Sequence, residues 1–105
     1  MIDMSQDGPV TTLTLNRADK ANALTATMLS DLADAVEGVR DARALILTGA
    51  GKVFSAGMDL EAAQSGLATA PVWERLSGAI AAFPGLSIAA LNGTVAGGAM
   101  GMVLA

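Results

Sequence analysis

Two short apolar runs, Ala44–Leu47 and Leu86–Leu91, the second broken only by Ser87, constrain this chain more than any other feature. Each stops at a turn signal, Thr48-Gly49 in one case and Asn92-Gly93 in the other. A run of that length with no polar face reads as a buried strand of a parallel sheet. Parallel strands cannot be joined by tight turns, so each must be reached by a crossover, usually a helix.

The rest of the chain supplies those crossovers. After the Gly8-Pro9 turn, Val10–Leu15 alternates Leu13 and Leu15 against Thr12 and Thr14 and reads as a strand. Asn16–Asn22 is a polar loop. Thr25 or Thr27 caps a helix that runs to about Arg40, with Met28 or Leu29, Leu32, Val36 and Val39 on one apolar stripe. The run Ala44–Leu47 leads into a glycine-punctuated loop, Gly49–Gly57, and Asp59-Leu60-Glu61 opens a short helix. Gly66–Ala70 is a flexible connection. Thr69 caps a second full helix, Pro71 sits in its first turn, Val72, Leu76, Ile80 and Phe83 line one face, and Pro84 ends it. Gly97–Ala105 reads as a helix start. The order strand, helix, strand, helix, strand, helix implies an α/β architecture with a parallel sheet.

Composition narrows the function. A chain of 105 residues holds at most one modest domain, and 52% apolar against 15% charged residues argues against disorder. A net charge of −4 with scattered Arg17, Lys20 and Lys52 leaves no footprint for nucleic acid. Without cysteine or histidine there is no disulfide framework, thiolate metal site or Ser-His pair, and no metal is expected. Met1–Asp7 is polar and acidic, unlike a signal peptide, so a cytoplasmic address is the default.

No charged residue follows Arg75, and the glycines at 93, 97 and 101 have the spacing of close-packed membrane helices. A membrane-spanning Leu86–Ala105 is therefore an alternative. Pro84-Gly85 and Asn92-Gly93 interrupt the run, and no aromatic belt or basic flank accompanies it, so the expectation is no membrane partner. Met100 and Met102 are expected to fill core. A helix reaching Val103-Leu104-Ala105 uncapped leaves apolar surface bare, which suggests a piece of a longer domain or a partner over that end.

Two loops have the same layout of strand, turn, glycine and helix: Phe54–Leu60 and Asn92–Gly101. Helix starts present unpaired N–H groups, and Gly57 permits close backbone approach. Two such loops at one end of a parallel sheet can aim two amides at one oxygen, which is the geometry that stabilises an enolate or a tetrahedral oxyanion. Asp59 at a helix start reads as a cap rather than a catalytic group. Glu61, Glu74 and Arg17 read as solvated charges.

Asn16–Leu24, Leu45–Gly49, Phe54–Leu60 and Ile88–Gly98 occur in the order and at the spacing that resemble the enoyl-CoA hydratase/isomerase (crotonase) superfamily. The resemblance spans nearly the whole chain but only the N-terminal portion of that family's catalytic domain, residues 1–105 here. It implies a crotonase-like ββα spiral, truncated at its C-terminus. It also implies a trimer or hexamer when the domain is full length, and an acyl-CoA thioester substrate with coenzyme A as part of the substrate and no tightly bound cofactor. It places the oxyanion-hole amides at Met58 and Gly98. It places coenzyme A contacts at Lys20, Ala21, Ala23 and Leu24, and around Ala56, Gly57 and Leu60. In the family's hydratases a glutamate follows the oxyanion glycine by three residues. Gly101 stands there in this chain, which favours double-bond isomerisation over a two-glutamate hydration. Ala18 for a frequent proline, and Gly85-Leu86 for a frequent Lys-Pro, are loop variation. The competing reading is a non-catalytic fragment or pseudoenzyme that binds acyl-CoA or oligomerises.

Overall fold

The alternation in Val10–Leu15 becomes strand β2, whose Thr11, Leu13 and Leu15 are buried while Val10, Thr12 and Thr14 are half-buried. The computed structural model describes all residues, Met1–Ala105. Ahead of β2 lies a strand the sequence did not reveal, β1 (Ile2–Asp7), folded back antiparallel through Gly8 at φ +59°. Ile2, half-buried against the core, and Met4 are its only apolar side chains, too short an alternation to read, and the rest are polar and exposed, as suits an edge strand with one partner.

Helix α1 (Ala26–Gly38) begins where Thr25 accepts a hydrogen bond from the Met28 amide at 3.2 Å. It buries both Met28 and Leu29, with Leu32, Ala33 and Val36. It stops two residues short of Arg40, and Val39 is buried as its C-cap. Strand β3 (Ala44–Gly49) then pairs parallel to β2. Helix α2 (Leu60–Gln64) and helix α3 (Val72–Ala82) lead to β5 (Leu86–Ala89), parallel to β3. The main sheet has the order β1-β2-β3-β5. Thr69 does not cap α3. Its hydroxyl turns back to the Gly66 carbonyl, and Pro71 occupies the cap without a side-chain bond. On the surface, Arg75 of α3 binds Asp34 and Glu37 of α1 at 2.6 and 2.7 Å.

Within the two glycine loops the structure adds β4 (Val53–Ser55) and β6 (Thr94–Val95), which pair parallel as a second small sheet. The alternation of single strands and helices is thus incomplete, since two of the strands are too short to show a period. Helix α4 (Ala99–Val103) closes the chain.

Two expectations are corrected here. Leu86–Leu91 is not a buried strand: Leu86 and Ile88 are 63% and 42% exposed. Strand β5 lies at the sheet edge with one bonded neighbour, so its apolar content is uncovered. Met100 is also exposed, and Met102 alone of that pair enters the core. The segment Leu86–Ala105 folds as two strands and a short helix rather than a span, and no helix is long and apolar enough to cross a membrane.

Candidate active site

Three loops build the site. The first is Arg17–Leu24, the second Ser55–Asp59 and the third Asn92–Gly98. Ala21 and Asn22 both adopt left-handed backbone, with φ of 51° and 53°. Asparagine tolerates that region because its side chain bonds locally. The Asn22 side chain is fully buried and all its polar atoms are used. Its Oδ1 accepts from the Arg17 amide at 2.8 Å, and its Nδ2 donates to the carbonyls of Ala50 and Val53 at 2.9 and 2.8 Å.

The first loop then runs alongside the second as one more strand pairing. The Ala56 amide donates to Ala21, the Leu24 amide to Gly57, and the Asp59 amide to Leu24, at 2.7 to 2.9 Å. The Ser55 hydroxyl donates to the Asn22 carbonyl and accepts from the Gly57 amide. In this register Leu24 pairs with Met58 as a parallel bridge that uses the groups flanking Met58. The amide of Met58 therefore points to the other side. It has no acceptor within the chain.

Gly57 brings the third loop in. At φ +100° it is in a conformation that favours glycine, and a Cβ there would lie 2.9 Å from the Ala96 carbonyl oxygen. Gly97, at φ +58°, packs back on the Gly57 Cα. The next residue, Gly98, precedes α4, and its amide also has no acceptor within the chain. Helices α2 and α4 have five residues each, too few for a large dipole, so what they present is bare amides. Over Gly98 lies Trp73, whose indole N–H donates to the Leu67 carbonyl at 2.7 Å.

Between the first two loops is an open cleft of about 520 Å³ lined by Arg17, Lys20, Ala23, Ala56, Met58, Asp59, Leu60 and Glu61. Of the residues expected to bind, Lys20, Ala23, Ala56, Met58 and Leu60 meet there. Ala21, Leu24 and Gly57 form the backbone frame behind it, and Gly98 lies on the third loop outside its lining. Arg17 is not a solvated charge. Its guanidinium bonds the Ala23 carbonyl and the Asp59 carboxylate, both at 2.9 Å, with each of the paired side chains only 20% exposed. Asp59 caps α2 through the Ala62 amide, as expected. The Arg17 hydrogen bond, then the Ala62 amide, hold its carboxyl below the usual range. Lys20 has no ion-pair partner and is the cleft's free cation.

Sequence reasoning missed Asn22, Ser55, Trp73 and the pairing of Arg17. The resemblance pointed at the first loop as a whole; the signal that could have found Asn22 in it is an asparagine within a polar loop, where left-handed backbone is common for that residue.

A sequence model described as Enoyl-CoA hydratase/isomerase matches residues 5–105. A probable enoyl-CoA hydratase of Mycobacterium tuberculosis is 37% identical over 97% of this chain and 43% of its own length. A probable enoyl-CoA hydratase of Rhodobacter capsulatus is 39% identical over 89% of this chain and 38% of its own. The solved structure of an enoyl-CoA hydratase from Mycobacterium avium subsp. paratuberculosis superposes with a TM-score of 0.89 at 29% identity, over 98% of this chain and 43% of that one. The chain therefore belongs to the enoyl-CoA hydratase/isomerase family and has its crotonase fold. It spans less than half the length of the relatives it matches.

Proposed function

We propose that this chain forms the N-terminal portion of a crotonase-like catalytic domain and supplies the carbonyl-binding half of an acyl-CoA thioester site. The amides of Met58 and Gly98 donate to the thioester oxygen and stabilise the enolate formed when a proton leaves the neighbouring carbon. Coenzyme A lies along Lys20, Ala21, Ala23 and Leu24, with Ala56, Gly57 and Leu60 opposite and Lys20 near a phosphate. The observation that carries the reading is the contact of Gly57 with Ala96 and Gly97, which joins two loops whose next amides are both free. Free amides at a fixed spacing cost no reorganisation when charge develops.

The reaction is isomerase-like. Gly101 is exposed in α4, where hydration would need a carboxylate, and the cleft's own carboxylates are Asp59, engaged by Arg17 and Ala62, and Glu61 at its rim. By the family likeness, the full-length enzyme is a cytoplasmic trimer or hexamer with no tightly bound cofactor. The same shortage of free carboxylates favours a second reading for this chain by itself, acyl-CoA binding without turnover. Conversion of an enoyl-CoA by the purified chain would sink that second reading.

Calorimetry with butyryl-CoA and its thioether analogue, which lacks the carbonyl oxygen, tests the site. Two hydrogen bonds of ordinary net strength should favour the thioester by about tenfold or more. Equal affinity for the two ligands overturns the reading.

A further inference from the structure

We infer that Trp73 is the wall at the acyl end of this site and confines it to short acyl groups, an inference that rests on the thioester site proposed above. Trp73 is the chain's single tryptophan and stands in the first turn of α3. Its ring is pinned: the indole N–H reaches the Leu67 carbonyl at 2.7 Å, and the ring packs against the core. The benzo edge fills the place where a side chain on residue 98 would project. Cη2, Cζ2 and Cζ3 lie 2.7, 3.1 and 3.2 Å from an ideal Cβ on Gly98. That Cβ is about 2.5 Å from its own nitrogen, so the ring edge lies within about 5 Å of the Gly98 nitrogen. An oxygen accepting from this amide sits about 2.9 Å from it. The oxygen therefore lies no more than about 8 Å from the ring edge, a span that a short acyl group of a few carbons covers.

A rigid, half-buried aromatic in that position offers a flat apolar surface to a short acyl chain. A long chain has to displace the ring, which gives up the Leu67 hydrogen bond and the core packing together. Gly98 itself fits the scheme. Any side chain there collides with the indole, so glycine keeps the amide and the wall side by side.

The test uses the full chain, its Trp73→Ala and Trp73→Phe variants, and three ligands: coenzyme A, butyryl-CoA and decanoyl-CoA. In the unsubstituted chain, butyryl-CoA should bind more tightly than coenzyme A and change tryptophan emission, while coenzyme A leaves emission unchanged. Decanoyl-CoA should bind no better than butyryl-CoA. Trp73→Ala should raise the decanoyl-to-butyryl affinity ratio about tenfold or more, the scale on which apolar pockets discriminate chain length. Trp73→Phe keeps a ring for folding and should fall between. Parallel chain-length profiles in all three proteins, with emission unmoved by butyryl-CoA, overturn the role of Trp73 while the preference for thioester over coenzyme A stands. No preference for either acyl-CoA over coenzyme A in any protein overturns the thioester site as well.

Discussion

Asn22 and Asn92 converge on one oxygen. Their Nδ2 groups donate to the Val53 carbonyl at 2.8 and 3.2 Å, and each also bonds a second carbonyl of the turn, Ala50 for Asn22 and Gly51 for Asn92. Gly49 makes room for both: a Cβ there would lie 3.0 Å from a polar atom of each asparagine and 2.7 Å from the Phe54 carbonyl oxygen. The first and third loops are thus fastened to the same point of the second, one residue before Phe54.

The clasp should show itself in stability. Asn22 is fully buried, and Asn22→Ala strands the Arg17 amide and the Ala50 carbonyl and leaves the Val53 carbonyl to Asn92 alone, so it should cost on the order of 2–4 kcal/mol. Asn92 is exposed, water can replace its bonds, and Asn92→Ala should cost about 1 kcal/mol. Because the two share an acceptor, the double variant should depart from additivity by about 0.5 kcal/mol or more. Urea unfolding of the four proteins measures this. Strict additivity would show that the two loops are held independently.

Gly57 should matter more to the thioester oxygen than to the coenzyme A that also lies against it. A methyl group at φ +100° is strained, and its 2.9 Å approach to the Ala96 oxygen pushes the third loop away. Gly57→Ala should cost about 1–3 kcal/mol in stability. It should also abolish the preference for butyryl-CoA over its thioether while weakening coenzyme A itself by no more than about fivefold, since Gly57 is one of several coenzyme A contacts but the only one of them that seats the third loop. Loss of coenzyme A affinity in the folded variant would place the nucleotide across the Gly57–Gly97 contact instead.

The sequence displayed what has a period and concealed what does not. Leu13 and Leu15 in β2, and Leu32 and Val36 in α1, repeat often enough to be read, and both elements form as expected. Strands β4 and β6 have three and two residues, too few to show a period, and β1 has only Ile2 and Met4 to mark its apolar face. The burial of β5 was misjudged because an apolar run reports what a strand can pack against, not whether anything does. The position of the glycine loops was legible, since Gly57 and Gly97 are needed at positive φ. What holds them was not, because Asn22, Ser55 and Asn92 act through side-chain bonds to distant backbone, which leave no pattern in one sequence.

Asp59 should make the chain acid-sensitive. Its folded-state pKa is depressed, chiefly by the Arg17 hydrogen bond, so the ionised form favours folding. A depressed carboxylate contributes its full stability above its unfolded value of about 3.9 and loses it as pH falls through the folded value. Asp59→Asn keeps a good N-cap for α2 and removes the ion pair. Thermal unfolding between about pH 3 and pH 7 should show the variant less stable than the unsubstituted chain at neutral pH and converging with it below about pH 4. A constant gap across that range would mean that the pair contributes through packing rather than charge.

The uncovered edge at β5 should drive self-association. Leu86, Ile88 and Leu91 are 63%, 42% and 53% exposed on one segment, and Leu104 at 77% adds apolar surface. Strand β5 ends the main sheet, so its outer backbone groups are free to pair with another strand. Natural edges of this kind are normally blunted by charge, and none occurs after Arg75. Sedimentation velocity should therefore show dimers or larger species that grow with concentration. Leu86→Lys with Ile88→Lys places two charges on the edge, neither of them in the core, and should return the chain to monomer without lowering its unfolding midpoint by more than about 1 kcal/mol equivalent, the usual range for surface changes being smaller still. A chain that is monomeric at every concentration before substitution would show that this edge repels partners by some feature other than charge.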